Sequence, residues 1–121
     1  MFTVFKDYVF AAGHAIRGHQ GGCQNLHGHN YRVRVHVAAE RLDALGMVID
    51  FADLKRIVES VLGRFDHAVI NDLPPFDRRN TTAELIAEYA GEEVERLLPD
   101  GRRVRRVEVW ETETSCAIWE P

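Results

Sequence analysis

From Tyr31 the chain alternates strictly. Tyr31, Val33, Val35 and Val37 share one parity, while Arg32, Arg34 and His36 share the other. Side chains of a strand alternate across the sheet, so this stretch predicts a strand with one buried and one polar face. Residues 2–12, rich in Phe, Val and Tyr and without helix-starting chemistry, predict another strand. Between them "GHAIRGHQGGCQNLHGH" holds five glycines and little periodicity, the pattern of a long irregular loop. Loops of that length are usually functional or disordered.

The period then changes. Asp50 precedes Leu54, Ile57, Val58, Val61 and Leu62, whose spacing of three and four places them on one side of a helix capped by the aspartate. After "PPFDRRN", Thr81-x-x-Glu84 has the form of a capping box, opening a second helix with Leu85, Ile86, Tyr89, Val94 and Leu97 inward. Pro99-Asp100-Gly101 stops it. Residues 104–111 and 116–119 form two short strand-like runs joined by "TET", a hairpin in the simplest reading. The predicted order is ββααββ: an α+β fold with a four-stranded antiparallel sheet and both helices on one face. The Arg/Arg/His face of the second strand needs cover or hydration, and association through strand edges into a closed ring would remove the exposed edges as well, so a homo-oligomer is expected.

With 121 residues, 45% of them hydrophobic and 28% charged, the chain has the size and composition of one globular domain spanning 1–121. A net charge of -4 argues against a protein whose main task is to grip a nucleic-acid backbone. "MFTVFKDYVF" places Lys6 and Asp7 where a secretory signal would need an apolar core, and no later run has membrane-spanning length, so a cytoplasmic protein is expected. Two cysteines, Cys23 and Cys116, are too few for a disulfide framework and are expected to be reduced.

The chemistry concentrates in "CQNLHGHNY". His27 and His29, two apart in an extended segment, project to the same side, with Gly28 leaving the backbone room to adjust. His14, at the end of the first strand, supplies a third imidazole if the two strands pair across the loop. Three imidazoles with one open position suit a catalytic zinc, whereas structural zinc is closed by four protein ligands. Read alone, the same histidines also suit ordinary loop hydrogen bonding. His19 and His36 read as solvated side chains.

Cys23 has two readings on its residue type, a fourth ligand closing the site or a free thiolate acting as base or nucleophile. Asp66-His67 offers a carboxylate and an imidazole that could hold the proton partner of a thiol, and also fits a surface turn. Glu111 continues the parity of Val107 and Val109. At the edge of a core its carboxylate would be satisfied by a ligand with two adjacent N–H donors. The arginines of "GRRVRR" could attract a polyphosphate, but an arginine-rich strand start is usually a solvated edge.

In order along nearly the whole chain, "FAAGH", "CQNLHGHNY", "GMVIDFADLK", "FDHAVIND", "NTTAE" and the Glu-Thr pair at 111–112 resemble the 6-pyruvoyl-tetrahydropterin synthase superfamily. The short spacing from Cys23 to His27 and His29 is most similar to the 6-carboxytetrahydropterin synthases of the queuosine pathway. The resemblance implies a tunnelling fold whose copies assemble through their sheets into barrels, as trimers or hexamers with sites between subunits. It implies zinc on His14, His27 and His29, Cys23 as the proton-abstracting thiolate, Asp66 and His67 as its relay, and Glu111 as the pterin anchor. The implied substrate is 7,8-dihydroneopterin triphosphate. Two departures stand out: Gly13 where the family has alanine, and Thr81 where it has proline, beside Thr82 and Glu84, which read first as helix-capping residues.

Overall fold

The computed structural model describes residues 1–121. The strands are β1 (Phe2–His14), β2 (His27–Ala39), β3 (Ala68–Val69), β4 (Arg103–Thr112) and β5 (Ser115–Trp119); the helices are α1 (Phe51–Leu62) and α2 (Ala83–Leu97). The sheet has five strands in the order β3-β1-β2-β4-β5. β1, β2, β4 and β5 are antiparallel neighbours, as the alternation predicts, while β3 runs parallel to β1 at Ala12 and Gly13. The four-stranded antiparallel expectation therefore gains a fifth, parallel strand. A two-residue strand is shorter than any periodicity can register, and backbone geometry forms it: His67 turns through a φ of 57° and its N–H donates to the Ala11 carbonyl at 2.6 Å.

Both helices cover one face. Tyr31, Val33, Val35 and Val37 are fully buried beneath them, and Val107 and Val109 lie beside Val35 and Val33 in register. Burial of each such side chain contributes about 1.5–3 kcal/mol. Leu54, Val58, Val61 and Leu62 of α1 and Ile86, Ala87, Ala90 and Val94 of α2 complete a 24-residue core. Asp50 caps α1 by accepting from the Ala52 N–H at 2.7 Å. The cap of α2 is Thr82, which accepts from the Leu85 N–H, rather than Thr81. Thr81 is fully buried and serves a different purpose, described below. Leu97, expected inward, is 52% exposed, because it ends α2 beside Ile57 and Ser60 of α1 at an open surface groove rather than over the sheet.

The opposite face of the sheet is a ladder of charges and rings. Asp7 accepts two hydrogen bonds from Arg34, at 2.8 and 3.0 Å, and this pairing holds its carboxyl below the ordinary value. His36 meets Glu108 at 2.6 Å, so it is paired rather than solvated as its position suggested. Arg32 lies over the Trp110 ring, 4.8 Å from its centroid. Phe5, Val9 and Ile118 stay exposed on this face. The arginines of "GRRVRR" are partly consumed by the fold, Arg102 donating to the Val48 carbonyl at 2.6 Å. No helix is long and apolar enough to cross a membrane.

Gly91 on α2 fits directly under the indole of Trp119 on β5, and a β-carbon there would overlap the ring. Gly91→Ala is expected to lower stability by about 1–2 kcal/mol, since overpacking costs more than the gain in helix propensity of about 1 kcal/mol. Urea denaturation reads this as a lowered midpoint; an unchanged or raised midpoint contradicts the packing described.

Candidate metal centre

The alternation that buries the valines of β2 continues past Tyr31. His29 and His27 have the same parity, and in the β1–β2 register His27 lies opposite His14 and His29 opposite Ala12. All three imidazoles therefore project from the helix-covered face, where the apolar core ends. Their ring centroids stand 4.6 to 5.1 Å apart. Tyr31 forms the floor, its ring 5.8 Å from that of His14 and 5.5 Å from that of His29, and it stacks on Phe10 behind. Glu111 enters from β4. One ligand atom from each of His14, His27, His29 and Glu111 lies within 4.8 Å of the others.

The ring orientations are fixed from outside the cluster. His14 Nδ1 donates to the Thr81 carbonyl at 2.8 Å, and His27 Nδ1 to the Asn25 carbonyl at 2.6 Å. A carbonyl only accepts, so both Nδ1 atoms carry a proton, and in the neutral ring Nε2 is then the lone-pair atom. Metal-binding histidines are typically held in this way. Burial holds the His29 imidazole below its ordinary pKa despite the opposing pull of Glu111, favouring the neutral, ligating form.

The cluster contains a specific misfit that a cation resolves. Glu111 Oε1 is 3.3 Å from His14 Nε2 and 2.9 Å from His29 Nε2, yet neither nitrogen is hydrogen-bonded, and both are buried. In the neutral His14 ring the Nε2 lone pair faces the carboxylate, an arrangement that repels inside a protein, and polar atoms buried without partners are costly. A divalent ion among them satisfies all of them. The donor set of imidazole nitrogens with a carboxylate suits several such ions.

Cys23 lies outside this group. It sits half-buried in a short 3-10 turn, Gly22–Gln24, within the loop joining β1 to β2, and its carbonyl accepts from the Ile16 N–H at 2.7 Å. Both cysteines are free. His19 is also apart, its Nδ1 accepting from the Gly21 N–H.

Asp66 and His67 lie just before β3, at the edge of the sheet beside β1. Asp66 Oδ1 accepts from the Ala11 N–H and lies 3.0 Å from His67 Nδ1. The Ala11 hydrogen bond, followed by that with His67, holds the Asp66 carboxyl below its ordinary value. The His67 ring is 83% exposed and borders an open groove lined by residues 11–13 of β1, Gly28, His29 and Asn30 of β2, and Ala68 and Val69 of β3. His29 thus reaches the groove as well as the imidazole cluster, while Asp66 and His67 are not among the residues that cluster with it. The chain thus brings together His14, His27, His29 and Glu111, pairs Asp66 with His67, and leaves Cys23 apart from both. Glu111, expected to face a ligand, here faces the imidazoles, its side chain a quarter exposed at the mouth. The Thr81 and Asn25 carbonyls, which orient two of the rings, were not visible in the sequence because any residue carries a carbonyl.

Titration with a divalent ion is expected to fill one site per chain. His14→Ala and His29→Ala should abolish stoichiometric binding, and Cys23→Ala should leave it intact. Isothermal titration with Zn2+ measures this, and an equal loss in Cys23→Ala would place the sulfur on the ion.

Comparison with known proteins agrees with this architecture. A family model described as 6-pyruvoyl tetrahydropterin synthase matches residues 3–121. The chain is 36% identical to a 6-carboxy-5,6,7,8-tetrahydropterin synthase of Synechocystis sp., over 97% of this chain and 92% of that one. It is 34% identical to a protein of the same name from Haemophilus influenzae, over 99% of each. Among solved structures, Caenorhabditis elegans 6-pyruvoyl tetrahydropterin synthase superposes with a TM-score of 0.88 at 26% identity, covering 99% of this chain and 95% of that chain. The neighbours confirm the tunnelling fold, with the two helices on one face of the sheet. The chain belongs to the 6-pyruvoyl tetrahydropterin synthase family, a family of pterin-forming enzymes.

Proposed function

We propose that the protein is a zinc-dependent 6-carboxytetrahydropterin synthase, converting 7,8-dihydroneopterin triphosphate and water to 6-carboxy-5,6,7,8-tetrahydropterin, acetaldehyde and triphosphate, as in queuosine biosynthesis. The observation that carries this reading is the convergence of three imidazoles on one point, with neither cysteine in the group. His14, His27 and His29 hold the zinc. Bound there, zinc would polarise the side-chain oxygens of the substrate and acidify the adjacent C–H.

The remaining roles fall to the chain's own groups. Cys23, as thiolate, takes the proton from the side-chain carbon. Asp66 orients the His67 ring through Nδ1, leaving Nε2 to exchange that proton. Glu111, at the mouth of the cluster, anchors the pterin ring through paired N–H donors. His67 is far more exposed than a relay residue needs to be in one chain, which supports a site completed between subunits. Assembly into trimers or hexamers is supported by the free edges: β5 has one neighbour, and β1 meets β3 only at Ala12 and Gly13.

Incubation of the zinc-loaded protein with 7,8-dihydroneopterin triphosphate is expected to release acetaldehyde in step with substrate loss. Cys23→Ala should reduce kcat by about 10²–10⁴ with unchanged zinc content. Substrate consumption without acetaldehyde would instead identify a pyruvoyl-forming synthase.

The close approach of Glu111 favours one second reading, a closed site of three imidazoles and a carboxylate that serves only structure. Glu111→Gln separates the two. On the first reading zinc stays bound and KM for the pterin rises; on the second, zinc affinity and thermal stability fall together.

A further inference from the structure

Beyond His14 the β1 ladder ends, and residues 15 and 16 run outside any regular element into a turn at Arg17 and Gly18. Asn71 Oδ1 accepts from the Ala15 N–H and its Nδ2 donates to the Ala15 carbonyl, both at 2.9 Å. Two residues on, Asn80 repeats the pattern on Arg17, its Oδ1 accepting from the N–H and its Nδ2 donating to the carbonyl, both at 3.0 Å. An adjacent strand would present the same donor and acceptor to alternate residues along one edge. Here two side-chain carboxamides take the place of that strand. Asparagine suits the task because its side chain carries one acceptor and one donor group, like a peptide unit.

The second carboxamide reaches further. Asn80 Oδ1 also accepts from the Thr81 N–H at 3.1 Å, and Thr81 Oγ1 donates to the Ala15 carbonyl at 3.1 Å. The Arg17 guanidinium closes the splice by donating to the carbonyls of Arg79, Phe76 and Asn71. The buried carbonyl of Thr81 is the one that accepts from His14 Nδ1. Segment 71–81 is therefore fastened to the residues that follow His14, and that fastening fixes the acceptor against the His14 ring.

We propose that Asn71 and Asn80 are positioning residues of the metal centre: by pairing with the backbone of Ala15 and Arg17 they hold the Thr81 carbonyl on His14, and so keep the Nε2 lone pair of His14 aimed into the cluster. This rests on the metal-site reading above. Neither asparagine touches the site, and each acts through Thr81. Outer partners of metal-binding histidines typically set affinity by about ten- to a hundredfold.

The test uses Co2+ as the probe, titrated into the full chain against a competing chelator at fixed pH, with the ligand-field absorption band as a spectroscopic signature. Asn71→Ala and Asn80→Ala should each weaken Co2+ binding about tenfold and broaden or shift the band. Asn71→Gln and Asn80→Gln, which keep a neutral carboxamide but displace it by a methylene, should do the same and guard against misfolding of the alanine variants. Leu73→Ala, in the same segment but outside the splice, should lower stability and leave Co2+ affinity unchanged. In the metal-free wild type, long-range ¹H–¹⁵N correlation should show His14 protonated on Nδ1. Wild-type protein that binds no Co2+ overturns the metal reading and this proposal with it. Wild-type binding with unchanged affinity in the asparagine variants, an equal loss in Leu73→Ala, or a His14 proton on Nε2 overturns the role of the asparagines alone.

Discussion

The registration of β1 against β2 is the constraint on which the rest of the molecule depends. It pairs His14 with His27 and Ala12 with His29, and it sends Tyr31, Val33, Val35 and Val37 under the helices. A strand has period two, so a slip of one residue would expose the valines and turn the imidazoles of β2 to the other face together. Folding and site assembly are therefore one event. Burial of the valine stripe aligns the histidines, which themselves contribute little apolar area. The cluster is built as the polar end of the core, with Tyr31 as the last core side chain and His29 as the first imidazole.

Much of this was legible in the sequence because it rests on periodicity. The alternation of β2, the spacing of α1 and the His-x-His pair each repeat at intervals set by backbone geometry, so side-chain direction could be inferred without coordinates. Features resting on loop geometry were not legible. β3 is two residues long and depends on the turn at His67. The shift of the α2 cap from Thr81 to Thr82 depends on which threonine faces the core, and adjacent threonines look alike in a sequence. Asn71 and Asn80 lie in a segment without periodicity, where a carboxamide imitating a strand leaves no pattern. Glu111 was placed on the correct parity, but its approach to the imidazoles depends on how far β4 runs beside β2.

The candidate chemistry falls in two clusters. The three imidazoles and Glu111 gather where the core ends, while the Asp66–His67 pair lies beside β3 and borders an open groove that His29 also lines. Cys23 belongs to neither cluster and sits on the loop joining β1 to β2, held by its backbone rather than by its sulfur. A thiol kept off a metal retains its nucleophilicity and basicity, whereas coordination would consume the lone pair that proton abstraction requires. That separation distinguishes a thiol that works beside the ion from one that closes its coordination shell.

X-ray absorption at the metal edge of the zinc-loaded protein measures that separation most directly. The account predicts a first shell of nitrogen and oxygen only, with the outer-shell scattering of three imidazoles. A sulfur scatterer at about 2.3 Å, the length of a zinc–thiolate bond, would contradict it.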